Sequence, residues 1–298
     1  MSLSEGAEIS SQVPSCRLIH FTVDVPVEKS PTPWQPFTPA GVAAFAQGTW
    51  RRLLLVQLVF ALFASAAIVW FLAEDWFPVV TTAIGALPTQ GEIRHGVLDW
   101  REEPQELLAE NGFLGLSVDL SHSRAARSPA HVQVEFGRAD VKIFSLFGFW
   151  QTHYFAGRVP FNRIELAPWW GAWKPPILAA VGALVILGLM MSWAVLSTLY
   201  FLPAWLIGFF GNRVVTLGGA WRMAGAALMP GATLLTVAIV FYGLGTLDVL
   251  RLTVATAAHL LLSWFYVLTG ALWLPRDRAA LSLPNPFARP SPTGSSRK

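Results

Sequence analysis

The chain predicts a membrane protein, mainly α: a four-helix transmembrane bundle with a small α+β extracytoplasmic domain inserted between spans one and two. Three observations predict it. Apolar residues make up 54% of the 298 positions and charged residues only 13%, about half the charged content of soluble domains. Several stretches are long and apolar enough to cross hydrocarbon. Between the first and second of them the hydrophobic period changes to two, the mark of half-buried strands.

Residues 1–48 hold closely spaced prolines, Pro31, Pro33, Pro36 and Pro39, among many serines. Lacking a sustained apolar period, they read as a cytoplasmic disordered tail. Ala40 to Trp50 extends the first span back into the interface, with Phe45 and Trp50 at headgroup depth. The first transmembrane helix occupies residues 49–75. Its centre, Leu53 to Leu72, has Gln57 as its one strongly polar member and lies between Arg51-Arg52 and Glu74-Asp75. At about 1.5 Å per residue it covers roughly 30 Å, the thickness of bilayer hydrocarbon. Trp50-Arg51-Arg52-Leu53-Leu54 also resembles a twin-arginine export signal, with Ala64-Ser65-Ala66 as a cleavage site. The length of the run and its distance from the start of the chain suit an uncleaved anchor better.

Residues 76–174 form the extracytoplasmic α+β domain. Leu114, Leu116, Val118 and Leu120 alternate with small or polar residues, as do Val132, Val134 and Phe136, so both runs predict strands. The second continues through Gly137-Arg138-Ala139-Asp140 into Val141-Lys142-Ile143-Phe144, a β-hairpin. Glu103-Pro104-Gln105-Glu106-Leu107-Leu108 predicts a short helix closed by Asn111-Gly112, because proline fits a first turn and acids favour the N-terminal dipole. The domain carries twelve acids against nine bases from Glu74 to Lys174, which argues against nucleic acid as a partner. It returns to the bilayer through Trp169, Trp170, Trp173 and Lys174, an interfacial belt of indoles and one ammonium beside Pro168, Pro175 and Pro176. Stacking on a sugar is the alternative for those indoles; their place next to a span favours the belt.

Residues 175–275 hold spans two to four. Ile177 to Gly211 carries no charge and is too long for one perpendicular crossing. Pro203 is its natural break, giving a span at Ile177 to Tyr200 and an interfacial segment near 203–222. Span three follows at Met223 to Leu244 and span four at Val249 to Leu274, joined tightly through Gly245 to Asp248. Asp248 caps the fourth helix and Arg251 snorkels beside it. Residues 276–298 are a second cytoplasmic disordered tail. Four spans place Arg51, Arg52, Arg213, Arg222, Arg276 and Arg278 on one side, which the positive-inside rule assigns to the cytoplasm of a multi-pass inner-membrane protein. A five-span arrangement, splitting Ile177 to Gly211, would export Arg276, Arg278, Arg289, Arg297 and Lys298 instead.

Chemistry is sparse in this sequence. Cys16 is the single cysteine, so neither an internal disulfide nor a multi-cysteine metal cage is available. No cofactor motif is present: the glycines at Gly218-Gly219 and Gly243-Leu244-Gly245 follow no strand and lack a P-loop lysine. His95, His122, His131 and His153, with Asp99, Asp119 and Asp140, show no paired ligand spacing, so no metal is expected. Ser117, Asp119, Ser121 and His122 have the residue types of a hydrolytic triad. They lie too close along one strand to converge, without a nucleophile elbow, and read as surface polar positions. The candidate intramembrane polar site is His259 with Thr233 and Thr236 at matching depth, near the carbonyl that Pro230 frees around Ala226. Either the histidine is bonded between helices or it relays protons. Ala61 with Ser65, and Ala227 with Gly231, have the small-residue spacing that lets helices approach closely.

Ala86-Leu87-Pro88 followed by Gly91-Glu92 and Gly96-Val97-Leu98, then Leu116-Ser117-Val118-Asp119, then Trp221-Arg222-Met223-Ala224 leading to Pro230 and Leu234-Leu235, carry a resemblance. In these residues the chain resembles a bacterial family of integral membrane proteins of unknown function, some of them named for maltodextrin-utilisation gene clusters. It departs at Gly218-Gly219-Ala220-Trp221, where that family has a more aromatic and polar approach to the proline-bearing span. The resemblance implies several spans with an extracytoplasmic insertion and no catalytic residue. The expected function is a non-enzymatic anchor, sensor or accessory protein whose outer domain binds an envelope protein or a small-molecule ligand. The alternatives are a transporter, complete only as a homo-oligomer, and an envelope enzyme.

Overall fold

The computed structural model describes residues 35–100, 105–121 and 128–276. Among them, four helices are long and apolar enough to cross a membrane: Trp50–Ala86, Arg163–Phe210, Leu217–Gly243 and Val249–Leu272. Each starts where the sequence supplies a side-chain cap. Thr49, Asn162, Thr216 and Asp248 accept from the amides of Arg52, Glu165, Gly219 and Arg251, satisfying donors that a helix start leaves unpaired. The Asp248 cap is the one its position predicted, and its carboxylate also pairs with Arg251 at 3.6 Å.

The segment from Gln35 is ordered where composition reads as a tail. Helix α1 (Pro39–Ala44) and one 3-10 turn (Phe45–Gln47) precede the first long helix. Val42 and Phe45 are fully buried in the bundle core, and the Tyr266 hydroxyl donates to the Phe37 carbonyl at 2.8 Å. Prolines at 36 and 39 are compatible with order here because Pro39 occupies the first helical turn, where its missing donor costs nothing. Residues 1–34 and 277–298 lie outside the described residues.

The first long helix has three parts: α2 (Trp50–Phe71), one π turn (Leu72–Trp76) and α3 (Phe77–Ala86). Next come β1 (Glu92–Arg94), β2 (Val97–Asp99), β3 (Gln105–Glu110), β4 (Leu114–Asp119), β5 (Val132–Phe136), β6 (Asp140–Ser145), β7 (Gly148–His153) and β8 (Val159–Pro160). They form a three-stranded sheet ordered β2-β1-β8 and a five-stranded sheet ordered β3-β4-β5-β6-β7. Strands β4 and β5 pair in parallel, the other pairs antiparallel. The alternation seen in the sequence thus gives β4 and β5, and Phe136 pairs with Val141 across the expected hairpin.

The helix predicted at 103–108 is instead strand β3 from Gln105 onward, with residues 101–104 outside the described residues. A six-residue helix is too short to sustain itself. Pairing with β4 supplies the backbone bonds, and Leu108 enters the core against α3. Asn111 belongs to the β3–β4 turn, not to a helix end. That core joins Val79 and Ala83 of α3, and Leu87 just after it, to Leu98, Leu116 and Val118 of the sheets, so the first long helix runs directly into the lobe it carries.

Helix α4 (Arg163–Phe210) is continuous through Pro168, Pro175, Pro176 and Pro203. Pro203 is therefore not a break, and no separate interfacial segment lies near 203–222: α4 ends at Phe210, and α5 (Leu217–Gly243) begins after a turn containing Asn212 at φ 50. A proline removes one backbone donor, whereas unwinding in an apolar surrounding would strip several. Trp169, Trp170, Trp173 and Lys174 lie within α4, near its start, where Trp170 bonds Thr81 of α3. Helix α6 (Val249–Leu272) completes the bundle.

Close approaches hold the long helices together. A Cβ on Gly231 would stand 2.4 Å from the His259 carbonyl oxygen and 2.5 Å from Ser263 Oγ. Ser65 Oγ donates to the Gly182 carbonyl at 3.0 Å. At Gly225 three helices meet: Ser197 of α4, and Leu53 with Gln57 of α2, whose Nε2 lies 3.5 Å from the Gly225 carbonyl oxygen. The small residues at 65 and 231 do what their spacing predicted.

Candidate functional site at the helix–sheet junction

The candidate site forms where the π turn of the first long helix meets the ends of β3, β4 and β5 and the end of α5. A π turn adds one residue to the helical circuit, and such insertions concentrate at functional positions. Here it turns the Asp75 carbonyl toward the sheet, where Asn111 Nδ2 donates to it at 2.6 Å. Asn111 Oδ1 meanwhile accepts from the amides of Phe113 and Leu114 at 2.9 and 2.8 Å. One side chain thereby closes the β3–β4 turn and clamps it to the helix.

Aromatic rings fill the space beside this clamp. Phe71 meets Phe113 edge-on at 5.3 Å, and Tyr242 lies 5.0 Å from Phe113 and 5.4 Å from Phe71. His131, which precedes β5, stacks on Tyr242 at an interplanar angle of 26° and bonds its hydroxyl through Nδ1 at 2.8 Å. Such ring pairs each contribute about 0.5–1.5 kcal/mol beyond the area they bury. Gly243 brings the α5 backbone against Trp70 and Phe71, where a Cβ would come within 2.8 and 3.1 Å.

Two buried side-chain atoms at this junction, Asp75 Oδ2 and Trp76 Nε1, have no hydrogen-bond partner among the described residues. Both sit in the π turn. An unsatisfied buried polar atom costs about 1–3 kcal/mol, so the turn carries a local penalty that the Asn111 clamp and the Phe71–Trp76 ring contact offset. Next to it a cleft of about 420 Å³ is lined by Ser128, His131, Gln133, Ser145, Leu146 and Val249 among others. A second cleft of about 290 Å³, with Glu92, Asp99, Arg158 and Glu165 on its walls, lies where β1 and the start of α4 meet. Arg158 is bound to Glu92 there at 2.6 Å.

The residues singled out from sequence fall elsewhere. His259 bonds the Thr256 carbonyl in its own helix through Nδ1, while Thr233 and Thr236 donate to the Met229 and Ala232 carbonyls at 2.9 and 2.8 Å. Each is engaged with the preceding turn of its own helix, and the part of His259 at the helix crossing is its backbone. Trp170 Nε1 donates to Thr81 Oγ1 at 2.9 Å and Lys174 sits 5.8 Å over the Phe77 ring. Trp169 and Trp173 stack on each other and are exposed.

Ser117 and Asp119 are not surface positions: both are 0% exposed. Strand β4 is central, and its polar side is covered as well. Gln133 Nε2 donates to Ser117 Oγ at 3.0 Å, and Asp119 Oδ1 accepts from the Ser121 amide at 3.1 Å. His122 lies outside the described residues. His95 (φ 53) and Gly96 (φ 78) make the two-residue turn between β1 and β2, the left-handed pair that a tight hairpin requires. His153 lies on the exposed edge strand β7. Among the described residues, no three of His, Cys, Asp and Glu converge as a metal site.

Sequence reasoning missed Phe71, Asp75, Trp76, Asn111, Phe113 and Tyr242 as one site, and placed His131 only among unpaired histidines. The single local signal is the aromatic density of Trp70, Phe71, Trp76 and Phe77, which an interfacial belt equally accounts for. No family model matches the chain, and neither a curated protein nor a solved structure does.

Proposed function

We propose that the chain is a multi-pass protein of the inner membrane with both termini cytoplasmic, and that its lobe binds an envelope protein or small ligand and passes the bound state into the helix bundle. This is a sensor or accessory role without catalysis, consistent with the resemblance to the maltodextrin-cluster membrane family. The observation that carries it is the junction. The sheet is tied to the first long helix through Asp75 of its π turn and to α5 through the His131–Tyr242 bond, and that π turn holds two polar atoms without a partner among the described residues. A two-state element touched by both the binding lobe and the bundle is what coupling between them requires.

The orientation rests on the far end of the bundle. There Arg213 donates to the Leu274 carbonyl at 2.6 Å, and Arg222 donates to the Ala46 carbonyl at 2.7 Å and lies over Trp50. The basic residues thus gather opposite the lobe, as the positive-inside rule asks of a cytoplasmic face.

A photo-crosslinking residue at Ser145, on the wall of the larger cleft, tests the binding role in growing cells. A discrete adduct supports it; irradiation that yields none there or at Thr89, in the smaller cleft, removes it. Transport, the second reading, stands on His259 and Pro230 within the bundle. Proteoliposomes that show flux above empty vesicles, lost on His259→Ala, would carry that reading instead.

A further inference from the structure

We propose that the turn between β6 and β7 together with the start of β7, Leu146 to Trp150, is a wedge that dips into the leaflet on the lobe side of the bilayer. The proposal rests on α5 and α6 crossing that bilayer. Strand register supplies the first argument. Val132 pairs with Leu114 on one side and Ser145 on the other, and Ser145 pairs with Gly148. This row crosses the sheet at the end where Phe113 and His131 meet Tyr242. Leu146 and Phe147 extend beyond the row, toward the bundle.

The larger cleft gives the second argument, since Ser145 and Leu146 form its wall together with Val249, the first residue of α6. The tip therefore stands at the level of the first turn of a lipid-length helix. On that helix Leu250 and Val254 are exposed, as is Leu244 at the end of α5. The apolar tip and these apolar helix surfaces lie at one level.

Composition is the third. Phe144 to Trp150 has no charged residue, and Leu146, Phe147, Phe149 and Trp150 are 52, 81, 66 and 61% exposed. Tight turns ordinarily carry polar residues or glycine, and edge strands are ordinarily guarded by charge. Here Gly148 alone, at φ 113, meets the backbone demand of the turn, and every residue of β7 is exposed. Phenylalanine and tryptophan at the polar–apolar boundary match the aromatic belts of membrane proteins, and lipid is the occupant whose chemistry suits that surface.

The test replaces Cys16 with serine and places a nitroxide at F147C in the full chain in phosphatidylcholine–phosphatidylglycerol vesicles, comparing relaxation by oxygen with relaxation by a water-soluble nickel chelate. V254C reports the lipid-facing helix and H153C the far end of the edge strand. The expected result is oxygen dominating at Phe147 and Val254 and nickel at His153. Nickel dominating at Phe147 while oxygen dominates at Val254 overturns the wedge and leaves the spans intact. Nickel dominating at Val254 overturns both. Dipolar broadening at Phe147 that persists on dilution into excess lipid overturns the wedge in favour of a second copy of the chain on the edge strand. L146C provides the same readings if F147C does not fold.

Discussion

Tyr242 illustrates how much a single side chain can hold. Its hydroxyl meets His131 and its ring touches Phe71 and Phe113, so Tyr242→Phe removes the bond and leaves the packing. The expected loss is about 1 kcal/mol, read as faster amide exchange at His131 and Val132 without a change in bundle helicity. Gly231→Ala acts through a different cause. Its added carbon meets a backbone carbonyl that cannot step aside, so α5 and α6 must separate at a cost on the order of 1–3 kcal/mol. Its thermal midpoint in detergent falls, while Gly188→Ala, with open space around it, stays level. In the lobe, burial first and the Asp140 carboxylate second push the Tyr154 phenol above its ordinary value. Ionisation is therefore resisted in the folded state: stability is unaffected below about pH 10 and falls as pH rises past it, where the unfolded phenol ionises. Tyr154→Phe forfeits the bond to the Gly137 carbonyl and so starts less stable at neutral pH, but it declines less in alkali, by circular dichroism. Of these three roles only that of Gly231 is legible locally, through its spacing from Ala227. His131 and Tyr242 lie 111 positions apart, and residue type reports what a group can do, not whom it meets.

Elements were legible in proportion to how far their own residues decide them. The four long helices follow from hydropathy because lipid requires every backbone group to be satisfied within the segment. Strands β4 and β5 follow from alternation. Strand β3 does not, since its sequence favours a helix and only the presence of β4 overrules it. Pro203 misleads for the converse reason: the rule that proline ends helices reflects water as the alternative partner for freed backbone groups, and α4 is long and apolar around this residue. Pro203→Ala is thus expected to leave helical content unchanged by circular dichroism. The π turn leaves no local trace, because its extra residue is set by where Asp75 and Trp76 must face. Asp75→Asn, which lowers the penalty of a buried unpartnered carboxylate oxygen, is expected to raise the thermal midpoint and to weaken any coupling between lobe and bundle.

For the whole molecule the governing quantity is the direction in which the bundle points. Cysteine probes at Asn212 and Thr246, introduced after replacing Cys16, are expected to react from the cytoplasmic side and from outside, respectively. Labelling of Asn212 in intact cells by an impermeant reagent would invert the lobe and the binding partners inferred for it. The buried start of the described chain bears on how such a bundle is made. Val42 packs where a Cβ on Gly270 would stand 3.0 Å from it, so the berth for α1 is built in part by α6, the last of the described helices in chain order. Helix α1 therefore has no complete seat until α6, far later in the chain, has taken its place, and the segment ahead of the first long helix latches on only then.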